Sequence, residues 1–214
     1  MILKKECYND ERAIKKGNSL MLKKVIKEAF PTVLAFTMSG MYSIVDGIFV
    51  GKAAGDTGLA AINIAWPIPA LITALGIGIG MGGSVLYSHY RGRGEQKVCE
   101  NLFELTMTLL IGTGILATIL LSLVQKPFLE ILGAAGSVQT EAIKYTAIII
   151  AGSILQVAGT GIMPLLRNMN QSLGAMLSMA AGFAVNILVN YYLMFRLNMG
   201  IKGAAFGTVT AQAV

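Results

Sequence analysis

The sequence feature that most constrains the fold is a long apolar run with one acid inside it. This run extends from Phe30 to Gly51 and reads FPTVLAFTMSGMYSIVDGIFVG. At a rise of about 1.5 Å per residue, a helix of this length covers about 30 Å, the thickness of the hydrocarbon core of a bilayer. A carboxylate in lipid costs about 2.5–3.5 kcal/mol on insertion scales. The run therefore predicts a transmembrane helix whose acid, Asp46, faces something other than lipid.

Asp46 heads a polar stripe on one face of this predicted helix. Ser43, Tyr42 and Ser39 precede it at spacings of one and two helical turns, which puts them on the face of the acid. Two interpretations are open. An aspartate near a helix end can reach the membrane interface, or it can be buried against a cavity. We favour the buried acid.

Composition extends the membrane interpretation to the whole chain. Hydrophobic residues make up 55% of the 214 residues and charged residues only 13%, against about 25% charged in an ordinary soluble domain. This indicates a multi-pass membrane protein. The net charge of +6 is explained by where the basic residues lie, so we predict no nucleic-acid partner. Cys7 and Cys99 both lie in charged segments and are expected to be reduced cytosolic thiols.

The chain divides into a basic N-terminal tail, residues 1–27, and a membrane lobe, residues 28–214. The lobe is predicted to contain helices at about 28–51, 59–88, 99–124, 140–166, 174–195 and 204–214. A short loop is expected over 52–58, and Pro67 and Pro69 predict a kink in the second helix. The last run is shorter than the about 17 residues that a span requires, so we expect the sequence to stop inside a helix.

The distribution of Lys and Arg predicts the orientation. If all five complete runs span, the tail contributes eight basic residues, the second loop three and the fourth loop one, so 12 of the 17 lie on one side. Because basic residues collect on the cytoplasmic side, the N-terminus is expected to be cytoplasmic.

The Gly-rich stretch GIGIGMGGS in the second run has two readings. Gly78, Gly80 and Gly83 match the spacing GxGxxG, but no strand precedes them and no polar loop surrounds them. The same stretch pairs Gly76 with Gly80, and Gly78 with Gly82, at the four-residue spacing that lets helices approach closely in lipid. We expect close helix packing rather than nucleotide binding.

Several amides and hydroxyls lie inside the apolar runs: Asn63, Gln156, Thr160, Asn186, Asn190 and Thr208. A single membrane amide or hydroxyl is explained by an ordinary interhelical hydrogen bond, worth about 1 kcal/mol. That stays the simpler interpretation for Asn63, Gln156 and Thr160. Asn186 and Asn190 are one turn apart on one helix face, so this pair indicates a site.

An acid without a basic partner is suited to binding a cationic substrate or a proton. Protonating an aspartate with an ordinary pKa of about 3.9 costs about 4 kcal/mol at pH 7. A lone carboxylate in a dry, low-dielectric site costs considerably more and therefore neutralises. If water alternately reaches Asp46 and is excluded from it, the side chain is predicted to bind and release a proton. A Na⁺ ion bound by Asp46 together with amide oxygens would neutralise the charge equally well. We expect no cofactor and no other metal.

A membrane enzyme would need a nucleophile with its base, or a set of metal ligands. The single histidine, His89, lies in a loop, and no His, Cys and Asp residues have ligand spacing. We therefore do not expect an enzyme.

Several segments together resemble the multidrug and toxic compound extrusion (MATE) transporters. They are YSIVDGIFVG at 42–51, the Gly-rich second helix ending in SHYRGRGE, ILGA at 131–134, NILVN at 186–190 and MGIKGAAFGT at 199–208. The resemblance covers about residues 20–214. It implies an all-α integral membrane protein of the bacterial cytoplasmic (inner) membrane, with twelve helices in two lobes, that exports organic cations in exchange for H⁺ or Na⁺. This chain would be the N-terminal six-helix bundle, truncated within helix 6.

Our candidate site residues are of two kinds. Those expected to bind the cation or proton are Asp46, Asn186, Asn190 and Thr208, and those expected to line the cavity or bend a helix are Pro31, Tyr42, Gln156 and Thr160. The resemblance assigns Asp46 to the acid of the first helix. Asn190 departs from it, because several relatives have Asp there, which leaves one acid where they have two.

Two alternatives stay open. A lipid-linked oligosaccharide flippase of the wider superfamily would carry an anionic pyrophosphate and need cations in the cavity, which these runs lack. The chain could also be a non-functional fragment, since transport through a two-lobe cleft needs both lobes. The expected partners are an organic cation or drug, the lipid bilayer and a missing C-terminal lobe.

Overall fold

The computed structural model describes the backbone of residues 2–213 and the side chains of residues 25–27 and 29–213. The helices are α1 (Ile2–Ala65), α2 (Pro67–Gly92), α3 (Gln96–Ile131), α4 (Gly136–Ala151), α5 (Ser153–Asn168), α6 (Ser172–Tyr191) and α7 (Ile201–Gln212), with a π-helical turn at Tyr192–Arg196. The described backbone contains no strand. The predicted all-α class is confirmed.

Within the part of the chain that the structure describes, three helical stretches are long and apolar enough to cross a membrane: Val25–Gly92, Gln96–Ile131 and Ser172–Arg196. The pair α4 and α5, bent by 60° at Gly152, makes a fourth if it counts as one span. The first stretch has 68 residues, while one span needs about 20, so it is long enough for two. The described residues therefore have the lengths that a multi-pass bundle needs.

The loop predicted over residues 52–58 is replaced by a single break inside α1. Gly55 has φ 63° and ψ −165°, and the backbone is helical on both sides of it. A glycine takes up a positive φ without the steric cost that other residues meet. One residue is therefore enough to end the first helical segment, and a longer loop is not needed.

The interruption predicted from Pro67 and Pro69 falls at Trp66, a turn residue with helical φ and ψ between α1 and α2. Proline has no backbone N–H and cannot complete the helical ladder. The ladder resumes where the Ala70 N–H donates to the Trp66 carbonyl at 3.1 Å.

Close glycine packing joins α2 to α5. A Cβ added to Gly80 would collide with the backbone of Gly161, and one added to Gly76 would collide with Thr160. A Cβ at Gly78 or Gly82 would meet no described atom within 4 Å. The packing expected of Gly76 and Gly80 is present, whereas Gly78 and Gly82 lie on another face of α2, because the helix turns by about 100° per residue.

The end of α6 sets the position of α7. After the π-helical turn, the chain reverses through Leu197 to Gly200 and returns along α6 as α7. Gly203 then lies against Met194, and Gly207 lies against Asn190. The two helices therefore pack closely where the candidate polar residues lie.

Candidate cation site

Asp46 is hydrogen-bonded across the α1–α6 interface. Asn190 donates through Nδ2 to Asp46 Oδ1 at 2.7 Å and to Asn186 Oδ1 at 2.8 Å. The four-residue spacing on α6 puts the two asparagines on one face, as the sequence predicts. Both N–H groups of the Asn190 amide are thereby used.

A second set of bonds continues from Asn186 to α7. Asn186 Nδ2 donates to the Tyr42 hydroxyl at 3.2 Å, and this hydroxyl lies 3.3 Å from Thr208 Oγ1. Thr208 donates its own hydroxyl proton to the Ala204 carbonyl at 3.0 Å. Tyr42 is therefore the donor to Thr208, because each hydroxyl has one proton to give. The chain of bonds runs in one direction, from Asn190 to a backbone carbonyl.

Aromatic packing fixes Tyr42. Its ring is stacked on that of Phe183 of α6, with centroids 5.2 Å apart and an interplanar angle of 10°. Stacked pairs of this kind contribute about 0.5–1.5 kcal/mol beyond the burial of their area. The Tyr42 hydroxyl is therefore held between α6 and α7.

The charge of Asp46 is not matched by a basic side chain. Among the described side chains, the salt bridges are Arg93 with Glu95 and Lys144 with Glu141, and neither involves Asp46. No group of three or more His, Cys, Asp or Glu residues with metal-binding geometry occurs in the described part of the chain. Among the described residues, the hydrogen-bond partner of the acid is the neutral amide of Asn190.

One buried acceptor in this cluster has no donor. Asn190 is 1% exposed, and its Oδ1 receives no hydrogen bond from the described residues. A buried polar group left unpaired costs about 1–3 kcal/mol, so such an atom requires an explanation. Carboxylate and amide oxygens are ligands that suit Na⁺. In this structure the unpaired Asn190 oxygen lies against Gly207 of α7, while the amide nitrogen faces Asp46.

Gln156 and Thr160 belong to a different interface. Gln156 Nε2 donates to Thr73 Oγ1 at 2.8 Å and to the Pro69 carbonyl at 3.2 Å, both on α2. Thr160 donates to the Gln156 carbonyl at 2.7 Å. Among the described residues, no hydrogen bond joins this α2–α5 interface to Asp46.

The two other polar or helix-bending candidates also lie apart. Pro31 is half-buried inside α1, about four turns before Asp46. Asn63 is exposed and donates to the Leu59 carbonyl of its own helix at 3.0 Å.

Sequence reasoning missed Gly207 and Phe183 as neighbours of the site. Gly207 follows Gly203 by four residues, the spacing that marks close helix contact in membranes, so a signal was present. Phe183 gave no such signal, because an aromatic residue in an apolar run is ordinary.

The fold and the site define a class of protein. It is a bundle of membrane helices with an acid, Asp46, at the interface of α1 and α6. A MatE family profile matches residues 31–192. The chain belongs to the MatE family, which confirms the predicted resemblance.

The curated relatives are about twice as long as this chain. The multidrug export protein MepA of Staphylococcus haemolyticus is 22% identical over 211 residues, which cover 96% of this chain and 45% of MepA. MepA of Staphylococcus aureus (strain NCTC 8325 / PS 47) is 23% identical over 207 residues, covering 95% of this chain and 45% of that protein. The chain spans about half the length of the curated relatives it matches.

Solved structures also match this chain over less than half of their own length. A multidrug resistance MATE family transporter of the MOP superfamily, in an outward-facing conformation, aligns with a TM-score of 0.84 at 25% identity, over 88% of this chain and 42% of that one. A MOP superfamily transporter from Pyrococcus furiosus, whose reversed pocket polarity suggests a different function, aligns with the same TM-score, identity and coverage. The fold is that of one lobe of these transporters.

Proposed function

We propose that this chain forms the N-terminal lobe of a multidrug efflux antiporter, which exports organic cations in exchange for H⁺ or Na⁺. The observation that carries the proposal is the placement of Asp46 among neutral hydrogen-bonding groups between α1, α6 and α7. The multidrug export proteins similar to this chain support the class of substrate.

The mechanism follows from the single charge of the cluster. While water reaches the site, the carboxylate of Asp46 is stabilised by the N–H of Asn190. When water is excluded, the negative charge needs a positive one, and a proton or a Na⁺ ion supplies it. Because the cluster contains one acid, it neutralises one positive charge at a time. Release of the ion restores the carboxylate.

A second lobe is part of the proposal. Alternating access moves two bundles against each other around a site between them. The chain matches 45% of the length of MepA, so we propose a partner lobe similar to the remaining part of MepA. This partner would supply the other wall of the drug-binding cleft.

The proposed location is the bacterial cytoplasmic membrane, with the N-terminus in the cytoplasm. Arg91 lies in the last turn of α2, Arg93 in the connection to α3 and Lys97 in the first turn of α3. Arg167 lies in the last turn of α5. By the predicted order of spans, these residues share a side with the basic tail. Their shared position supports the proposed orientation.

The decisive test replaces Asp46 by asparagine in the complete transporter. Asp46→Asn keeps the size and hydrogen bonding of the side chain but cannot release a proton or hold a cation by charge. In a pump-deficient strain, efflux of ethidium should collapse while the amount of protein in the membrane stays the same. Asp56→Asn, the same change at an exposed acid beside Gly55, should leave efflux intact. Undiminished efflux by the Asp46→Asn protein would refute the proposal.

A further inference from the structure

We infer that Gly207 is a positioning residue of the cation site: its missing side chain fixes the orientation of the Asn190 amide and thereby the hydrogen bond to Asp46. The inference rests on the proposed function, because it assigns Gly207 a part in ion binding at the same acid. Gly207 itself contributes no polar side chain, so its effect is exerted through Asn190.

The contact between Gly207 and Asn190 is closer than a side chain allows. A Cβ added to Gly207 would collide with Asn190 Oδ1 and would lie 2.7 Å from its Cγ. The two N–H groups of the amide nitrogen donate to Asp46 and to Asn186. Because the amide is planar and rigid, its oxygen cannot turn away from α7 without moving its nitrogen.

Moving α6 and α7 apart instead would open two other close contacts between them. One turn before Gly207, a Cβ at Gly203 would lie 2.8 Å from Met194 Cγ and 3.2 Å from the Leu193 carbonyl carbon. Further along α7, the Ala211 carbonyl oxygen would lie 3.0 Å from a Cβ at Gly182 of α6. The spacing of α6 and α7 is therefore set on both sides of Gly207. An alanine at 207 would displace the Asn190 amide.

Displacing that amide changes two features of the ion site. The carboxylate of Asp46 loses a charge-assisted donor, and the unpaired amide oxygen moves away from its present position. Loss of a hydrogen bond to a charged group changes a binding constant by about tenfold or more. The ionisable side chains around the amide are Asp46 and Tyr42 on α1, with Tyr145 on α4 within electrostatic range of Asp46.

The experiment measures ion dependence in Gly207→Ala protein. The complete transporter is placed in proteoliposomes, and ethidium transport is followed under imposed H⁺ or Na⁺ gradients. If Na⁺ drives transport, its half-saturating concentration should change by about tenfold, because the Asn190 amide no longer holds the Asp46 carboxylate. If H⁺ drives transport, its half-saturating concentration should fall by about tenfold, because the carboxylate has lost its donor. The maximal rate of transport should change less than the half-saturating concentration.

Gly203→Ala is the matched control, because it crowds the same helix pair at Met194 and away from the acid. It should lower thermal stability and leave the ion dependence unchanged. If Gly207→Ala has the same ion dependence as Gly203→Ala, the inference is wrong even where Asp46→Asn abolishes efflux. If Asp46→Asn leaves efflux intact, the proposed function fails instead.

A second variant covers the case in which Gly207→Ala protein does not reach the membrane. Asn190→Ser shortens the side chain and makes room for an added Cβ at position 207. The double variant, Gly207→Ala with Asn190→Ser, should then recover membrane expression relative to Gly207→Ala. Failure to recover would show that the collision lies elsewhere and would overturn the inference.

Discussion

The α1–α6–α7 cluster and the α2–α5 interface both bury polar side chains in membrane helices, but they satisfy them differently. At α2–α5, Gln156 reaches the Pro69 carbonyl, and Thr160 bonds to a carbonyl of its own helix. Around Asp46 the bonds run from side chain to side chain, and one acceptor is left without a donor. Polar content alone therefore does not distinguish a structural interface from a site. The presence of an acid and of a buried acceptor without a donor does.

Glycines also serve the two regions differently. Gly80 allows one backbone to rest on another, at Gly161. Gly207 allows a backbone to rest on a polar side chain, that of Asn190. The first contact brings two helices together, whereas the second sets the position of a functional group.

The largest expected effect comes from filling the α2–α5 contact. Gly80→Leu places a bulky side chain where the backbone of Gly161 lies, and neither backbone can move aside. Overpacking of cores costs about 1–3 kcal/mol, and a backbone collision costs more. We expect little folded Gly80→Leu transporter, measured as the monodisperse fraction after extraction in mild detergent.

Gly78→Leu is the control for this prediction, since an added Cβ at Gly78 meets no described atom within 4 Å. It should yield as much folded protein as the wild type. Equal loss of protein from both variants would mean that α2 tolerates no large residue on either face. The contrast between packed and open glycines would then be wrong.

A smaller effect is expected from Tyr42→Phe in the polar cluster. The phenylalanine keeps the stack on Phe183 but removes the hydroxyl that joins Asn186 to Thr208. Losing a neutral hydrogen bond costs about 1 kcal/mol, which corresponds to about fivefold in rate or affinity. Ethidium efflux should fall by about that factor, measured at equal protein amounts.

Tyr192→Phe, at an exposed tyrosine in the π-helical turn, should leave efflux unchanged. An efflux rate for Tyr42→Phe as low as that of Asp46→Asn would give the hydroxyl a direct part in ion transfer. An unchanged efflux rate would show that efflux does not need the Tyr42 hydroxyl.

The class could be predicted from the sequence because the length and composition of the apolar runs are local features. The family could be predicted because several short motifs resemble those of MATE transporters. The structure places Thr208, whose role the resemblance implies, in the cluster with Tyr42 and Asn186. The spacing alone predicts that Asn186 and Asn190 form a pair. Period and spacing are sufficient for this, because residues four apart share a face wherever the helix packs.

Features that depend on a neighbouring helix could not be predicted in this way. The break at Gly55 lies within the loop predicted over residues 52–58, but the pattern does not show that one positive φ replaces the whole loop. The location of Gln156 at α2–α5 is set by Thr73 and Pro69, more than 80 residues earlier in the chain. Which face of a helix meets which neighbour is a property of the packed bundle.

The smallest expected effect comes from Gln156→Met, which keeps the length of the side chain and removes its amide. Gln156 is 7% exposed and donates to Thr73 and Pro69. Its replacement should lower the free energy of unfolding by about 1 kcal/mol, because membrane hydrogen bonds of this kind contribute that much. Thermal unfolding of the complete transporter in detergent measures the change, and Asn63→Met, at an exposed amide, should cause none. The ion dependence of transport should be unchanged, because no described hydrogen bond links Gln156 to Asp46. A shifted ion dependence in Gln156→Met would show that the two regions are coupled, and the division between a structural interface and a separate ion site would fail.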